Sequence, residues 1–223
     1  MLHIIDDEEV IRDALSWLAQ SRAIPALSYS SAQHFLASLD IATNEAAATE
    51  KSTNAAAAIG TASSGLHKSD AQTAEGDCLL VDVRMPGMSG VALFDILTAK
   101  KLTQRYPIIF LTGHGDVPMA VDTLKRGAFD FFEKPFNDNK LMDRVQEALF
   151  SSRAAIARSV IDARLANLSI RERAVLDLIL IGKMNKVIAD QLGISMRTVE
   201  VHRAHIFDKM HVKTAVELAR LLN

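Results

Sequence analysis

The first 150 residues alternate between short apolar runs and amphipathic segments. Five runs have the length of strands: LHII, IPALSYS, CLLVD, PIIFLT and AFDFF. Segments with helical spacing separate them, and the first places Val10, Ala14, Trp17 and Leu18 on one face. A helix is also predicted over Val117 to Arg126, before the fifth run. This alternation predicts an α/β doubly wound fold, with a parallel five-stranded sheet covered by helices on both faces.

Residues 41–76 interrupt the alternation. They are rich in Ala, Thr and Ser and show no apolar period. Such a segment buries too little apolar surface to offset the entropy lost on ordering, so we predict a surface insertion. A partner-docking loop is the functional alternative.

After the linker, the apolar pattern has a helical period and no strand signal. Helices are predicted over Leu168 to Ile181, Asn185 to Leu192 and Met196 to Met210. SIRE, which starts at Ser169, and TAVE, which starts at Thr214, have the spacing of capping boxes, and the second would open a last helix. Two helices around a tight Gly-containing turn indicate an all-α helix-turn-helix domain.

Charge separates the same two regions. The chain carries a formal net charge of −2, but from Arg153 onward it has 12 Lys and Arg against 7 Asp and Glu. An acidic front and a basic back suggest that the second domain binds nucleic acid. The lone Cys78 fits a reducing compartment, and we find neither a leader pattern nor an apolar run of about 20 residues, so a cytoplasmic location is expected.

Polar residues follow four of the predicted strands. They are Asp6 and Asp7 after the first, Asp82 and Thr112 at the ends of the third and fourth, and Lys134 after the fifth. In an open parallel sheet these positions share one edge, where ligands bind. Clustered carboxylates suit Mg²⁺, and a carboxylate beside a metal, a lysine and a hydroxyl can accept a phosphoryl group. Each residue alone also fits an ordinary helix start, turn or strand end.

Four segments carry a family resemblance: IIDDEE, LLVDVRMPGMSG, IIFLTGHGDVPMAV and GAFDFFEKPF. They resemble the receiver domain of bacterial two-component response regulators of the FixJ type. The resemblance implies that Asp82 is the phosphoacceptor, and that Asp7 and Asp82 bind Mg²⁺ with the backbone carbonyl of Arg84. Asp6 would act mostly through water. Arg84 and His114 correspond to positions that tune the rate of dephosphorylation.

The same resemblance implies a switch. Thr112 and Phe131 correspond to a pair in which the hydroxyl moves toward the phosphoryl group and the aromatic ring turns inward. Lys134 would contact the phosphoryl oxygens, with a cis peptide bond to Pro135, which X–Pro bonds tolerate.

The third predicted helix of the back region has two faces. Its predicted buried stripe is Val199, His202, Ile206 and Met210. Its opposite face carries Arg197, Val201, Ala204 and Asp208, with Glu200 beside them. Candidates for phosphate contacts are Lys186, Arg197, Thr198, Arg203 and Lys209. The alternative is a basic helical bundle that binds protein.

The segment from Leu168 to Met210 resembles the LuxR/FixJ-type DNA-binding domain. By this resemblance Glu200, Val201 and Ala204 face the bases, and the last helix makes a dimer contact. We therefore expect a receiver domain over residues 1–150, a helical linker over 151–163 and a helix-turn-helix domain over 164–223.

The two resemblances together imply a phosphorylation-controlled transcriptional regulator and not a classical enzyme. The expected partners are a sensor histidine kinase, promoter DNA, RNA polymerase and, after phosphorylation, a second copy of the chain. Two alternatives share parts of the pattern. One is a Mg²⁺-dependent phosphatase on the same acidic rim, and the other is a signalling protein that acts only through protein contacts.

Overall fold

A computed structural model describes residues 1–39, 76–113 and 117–222. Its five strands form one parallel sheet in the order β2-β1-β3-β4-β5. The strands are β1 (Leu2–Ile5), β2 (Ala26–Tyr29), β3 (Cys78–Asp82), β4 (Ile108–Thr112) and β5 (Asp130–Glu133). This order is that of flavodoxin-like folds, so the predicted fold class is confirmed.

Helices follow each of the five strands. They are α1 (Glu9–Ser21), α2 (residues 32–39 of the described part), α3 (Gly90–Ala99), α4 (Val117–Lys125) and α5 (Asp138–Ala166). Two apolar cores lie on the two faces of the sheet. One contains Phe35, Phe94 and Phe110, and the other contains Leu15 and Met142. Helices on both faces bury the central strands β1, β3 and β4 completely.

The predicted face of α1 is wrong by one position. Val10 and Trp17 are 78% and 71% exposed, whereas the predicted Leu18 packs against the core together with Ile11, Leu15 and Ala19. Both stripes have helical spacing, but the second has larger apolar side chains next to the sheet.

The second unit is all-α. Its helices are α6 (Ile170–Leu180), α7 (Asn185–Leu192), α8 (Met196–Met210) and α9 (Ala215–Leu222). A separate apolar core holds them together, with Val175, Ile188, Val199, Ile206 and Met210 among its buried members. Gly193, at φ +64°, ends α7 in the left-handed conformation and allows the sharp turn into α8.

One of the two predicted capping boxes is present in full. Ser169 and Glu172 make both reciprocal bonds at the start of α6. At α9, Thr214 Oγ1 accepts a bond from the Glu217 N–H at 3.1 Å, as predicted. The Glu217 carboxylate, however, accepts its bond from the N–H of Lys213 and not of Thr214. The second box is therefore only half correct.

Contacts divide the described residues into a unit that ends at Ala155 and a unit that begins at Ile156. Helix α5 runs without interruption through the predicted linker. The predicted insertion falls almost wholly outside the described residues, as does His114. Among the described helices, none is long and apolar enough to cross a membrane.

Candidate functional site

The carboxyl ends of the strands bring four of the predicted residues together. Asp82 is the last residue of β3 and Thr112 the last of β4, while Asp6 and Lys134 directly follow β1 and β5. The Lys134 ammonium lies between two carboxylates, with Nζ 2.9 Å from Asp82 Oδ1 and 2.9 Å from Asp6 Oδ2. The Lys134–Pro135 peptide is cis, as predicted.

Asp82 is held from both sides. Its Oδ1 accepts the bond from Lys134, and its Oδ2 accepts a bond from the backbone N–H of Arg84 at 2.8 Å. Only 7% of the residue is exposed. A buried carboxylate with a fixed direction, a cation on one oxygen and a backbone donor on the other is pre-oriented for reaction with a ligand at this edge.

Asp6 is more buried than its predicted role suggested. It is 1% exposed, and its second oxygen accepts a bond from the Glu8 N–H at 2.9 Å. The other carboxylate oxygen of Asp6 contacts Lys134 directly, and the expected water-mediated role of Asp6 at the metal stays a prediction. Arg12 braces the turn by donating to the backbone carbonyls of Asp6 and Asp7.

Burial and charge act on the site in opposite directions. Burial raises the pKa of the Asp82 carboxyl and the nearby Asp6 adds to the rise, whereas the bonds from Lys134 and Arg84 work against it; the net pKa is raised. Burial lowers the pKa of the Lys134 ammonium, but the bonds and charges of Asp82 and Asp6 outweigh it and raise that pKa. Lys134 is thus protonated, and its ammonium faces the Asp82 carboxyl, whose pKa stays above its ordinary value.

A glycine positions Asp82, and the sequence analysis did not single it out. Gly90 begins α3, and its N–H donates to the carbonyl of Val83 at 3.1 Å. A Cβ at this position would lie 2.4 Å from the backbone oxygen of Asp82. Ser89 caps the helix by accepting a bond from the Ala92 N–H. The available signal was the Ser-Gly pair that directly precedes an apolar helical segment.

An open cleft of about 730 Å³ lies next to Asp6 and Asp82. Its lining includes Asp7 and Arg84, two of the predicted metal-binding positions. Ser89 and the apolar Met85, Val91 and Met119 complete much of the wall. The cleft gives a ligand access to the residues on either side of Asp6 and Asp82.

The predicted switch residues lie on adjacent strands. Thr112 is buried at the end of β4, and its carbonyl accepts a bond from the Lys134 N–H at 2.7 Å. Phe131 is half-buried on β5, and its ring packs against Phe110 with centroids 6.3 Å apart. Thr112 is therefore bonded to Lys134, and Phe131 lies on β5, the strand that Lys134 follows.

Helix α8 has a buried side and an exposed side. Val199, Ile206 and Met210 are fully buried. His202, predicted in the buried stripe, is only half-buried, and its buried Nδ1 has no hydrogen-bond partner among the described residues. The exposed side of α8 carries Arg197, Glu200, Val201, Ala204 and Asp208, and Lys186 is exposed on α7.

Lys209, a predicted phosphate contact, bonds to two residues of its own unit. Its ammonium donates to Glu172 at 2.7 Å and to the carbonyl of Asn167 at 3.2 Å. Glu172 is buried, so leaving its carboxylate without this partner would be costly. These contacts give Lys209 a structural role, and its role as a phosphate contact stays a prediction. Arg203 is half-buried, and its guanidinium stacks over Phe207, 5.4 Å from the ring centroid. The Thr198 N–H donates to the hydroxyl of Ser195, the N-cap residue of α8, and the Thr198 hydroxyl also bonds to it.

Two family models match the chain. The model described as the response regulator receiver domain matches residues 42–146, and the model for bacterial regulatory proteins of the luxR family matches residues 166–222. The first range leaves out β1 and its acidic pair, which the structure places in the same sheet as Asp82.

Similar proteins cover the whole chain. The C4-dicarboxylate transport transcriptional regulatory protein DctR of Rhodobacter capsulatus is 41% identical, over 99% of this chain and 98% of its own. The transcriptional regulatory protein FixJ of Azorhizobium caulinodans is 37% identical, over 99% and 90%. Among solved structures, the response regulator StyR is similar with a TM-score of 0.62 and 31% identity, over 99% and 96%.

Full-length FixJ from B. japonicum has a TM-score of 0.50 and 35% identity, over 99% and 94% of the two chains. The matches therefore extend over the acidic rim, the sheet and the helix-turn-helix unit. The chain belongs to the FixJ-type two-component response regulators, and it is a transcriptional regulator with a receiver domain and a LuxR-type DNA-binding domain.

Proposed function

We propose that Asp82 accepts a phosphoryl group from a sensor histidine kinase and that this modification controls DNA binding. The observation that carries the proposal is the Lys134 ammonium 2.9 Å from the Asp82 carboxylate, at an edge that opens beside a cleft. A carboxylate oxygen of Asp82 attacks phosphorus, the P–N bond to the kinase histidine breaks, and its electron pair stays on the imidazole. The product is an acyl phosphate, and Lys134 moves to a phosphoryl oxygen.

The residues present fit a divalent cation. Asp6, Asp7 and Asp82 carry three negative charges against the single ammonium of Lys134, which leaves two charges to balance. Within the described residues, no three His, Cys, Asp or Glu side chains form a group that could hold a metal ion. The predicted donor set does not require one, because it joins Asp7 and Asp82 to the backbone carbonyl of Arg84. Bound there, Mg²⁺ would neutralise phosphoryl oxygens.

Residues of the receiver would then change conformation in response to the phosphoryl group. The Thr112 hydroxyl moves toward it, and the Phe131 ring fills the space that this movement opens. The surface formed by α4 and β5 changes shape and pairs with a second receiver. Arg84 lies two positions after Asp82 in the sequence, and His114 lies two positions after Thr112. Both residues would tune the rate of dephosphorylation.

Pairing of receivers brings two helix-turn-helix units onto one duplex. Half-sites about one helical turn (~10 bp) apart would match this dimer. Glu200, Val201 and Ala204 would face bases, while Lys186, Arg197, Thr198 and Arg203 would contact phosphates. One unit alone makes few phosphate contacts, so monomer binding is weak and depends steeply on salt. The DNA-bound dimer would then act on transcription by RNA polymerase.

The direct test of the phosphoacceptor is incubation with acetyl phosphate and Mg²⁺, followed by a phosphate-affinity gel. Wild type should give a shifted, acid-labile band and Asp82→Asn none, because an amide is a poor nucleophile for phosphorus. The control is Asp77→Asn, which changes the residue just before the opposite end of β3 and should keep the band. A band that persists in Asp82→Asn would sink the assignment.

A further inference from the structure

Three packed aromatic rings run from β5 toward the outside of the receiver. The centroid of Phe131 lies 6.3 Å from that of Phe110, and Phe110 lies 5.8 Å from Phe94, edge to face. Phe110 and Phe94 are fully buried. Phe110 precedes Thr112 by two positions on β4, so both side chains lie on the same face of the strand. The row thus contains Phe131, one member of the proposed switch pair, and a ring from β4, the strand that carries the other member, Thr112.

Arg126 ends the row at the surface. Its guanidinium lies 5.2 Å from the centroid of the Phe94 ring. It also donates to Asp95 on α3 and, at 3.3 Å, to Asp122 on α4. Arg126 follows α4 directly, so these contacts tie the end of α4 to α3. We call Arg126 with Phe94, Asp95 and Asp122 the Arg126 clamp.

We propose that the Arg126 clamp holds α4 against α3 while Asp82 is unmodified, and so sets how readily the switch responds. The inference rests on the proposed role of Thr112 and Phe131. In a close-packed core, Phe131 cannot change place unless Phe110, and behind it Phe94, adjust as well. Within the clamp, the Arg126 guanidinium lies over the Phe94 ring. Arg126 is therefore a positioning residue, which acts on the switch through two buried rings.

The size of the effect follows from exposure. The side chains of Arg126 and Asp95 are 38% and 52% exposed, so water screens their ion pair. Such pairs shift an equilibrium modestly, and we expect release of the clamp to favour the switched form about two- to five-fold. By linkage, any ligand that prefers the switched form then binds more tightly by the same factor.

The test uses the full chain and beryllofluoride with Mg²⁺, a stable mimic of a phosphoryl group, titrated by calorimetry. Arg126→Gln should raise the apparent affinity about two- to five-fold, and Asp95→Asn should act in the same direction. The double variant should equal Arg126→Gln alone, because both changes break one clamp. The matched control is Arg22→Gln, which breaks a comparable exposed pair with Asp143 away from the ring row.

Affinities equal to those of Arg22→Gln, or effects that add in the double variant, would overturn the clamp. A second measurement does not involve Asp82. In the unmodified chain, hydrogen exchange of α4 should be about two- to five-fold faster in Arg126→Gln than in Arg22→Gln. If wild type binds no beryllofluoride, the proposed phosphoacceptor fails, and this exchange measurement still decides for or against the clamp: unchanged exchange overturns it.

Discussion

Replacing Glu172 with glutamine should destabilise the helix-turn-helix unit by about 1 to 2 kcal/mol. The carboxylate accepts bonds from Lys209 Nζ at 2.7 Å and from the Ser169 N–H at 2.8 Å. Glutamine can still accept the bond from Ser169, but it carries no charge and weakens the bond to Lys209. Because the Lys209 side chain is 38% exposed, water screens the pair and keeps the loss below that of a fully buried one.

The same contacts predict a dependence on pH. Chiefly through the bond from Lys209, the pKa of Glu172 is lowered from 4.5 to about 2. A folded-state pKa below the unfolded one stabilises the protein fully only above the unfolded value. This contribution is then lost as the pH falls from about 4.5 toward 2. Glutamine does not titrate, so the difference in stability between wild type and Glu172→Gln should shrink over that interval.

Hydrogen exchange with mass spectrometry on the full chain locates the effect. At neutral pH, protection in α6 and α8 should fall about ten-fold in Glu172→Gln while the receiver is unchanged. Urea titrations near pH 7 and pH 3 then follow the difference in the free energy of unfolding. Glu217→Gln is the control, because its carboxylate accepts an exposed bond from Lys213. Equal protection in the two variants, or a difference that stays constant with pH, would refute the reasoning.

Three further predictions follow from single contacts. Gly90→Ala should cost about 1 to 3 kcal/mol in urea unfolding and slow phosphorylation, whereas Gly113→Ala should do neither, because a Cβ there meets no atom of the described residues within 4 Å. Arg197→Ala should weaken DNA binding and lower the slope of log affinity against log salt concentration by about one, with little effect on the melting temperature. Lys209→Ala should mainly lower stability, and the reverse pattern would contradict the roles given to these two residues. Replacing Thr43 to Glu75 with a short Gly-Ser loop should leave melting temperature and phosphorylation nearly unchanged, and loss of folded protein would show that the segment is structural.

The rim of the receiver could be predicted because it depends on topology more than on packing. Once the strands are parallel, Asp82 and Lys134 must come to the same edge. The partners of a charged residue are harder to foresee. The charge of Lys209 predicts a phosphate contact, but its bond to Glu172, 37 positions away in the chain, cannot be foreseen from the sequence. Local pattern carries no information on such a pair.

Two other features could be recognised only in the folded structure. Helix α1 has two apolar stripes offset by one position, and only the shape of the sheet selects the one with Leu15 over the one with Trp17. Gly90 is required because the backbone of Asp82 approaches it, and that approach depends on how α3 returns to β3. Register and close approach are consequences of packing, which periodicity alone does not fix.

The central claim is that phosphorylation at Asp82 controls DNA binding by the second domain. Sedimentation and gel-shift titrations on a two-fold symmetric operator at fixed salt test it most directly, with wild type and Asp82→Asn each measured with and without phosphoryl donor. We predict that phosphorylated wild type forms dimers and binds much more tightly than unmodified protein, while Asp82→Asn does not respond. The same affinity and oligomeric state of wild type with and without donor would contradict the account.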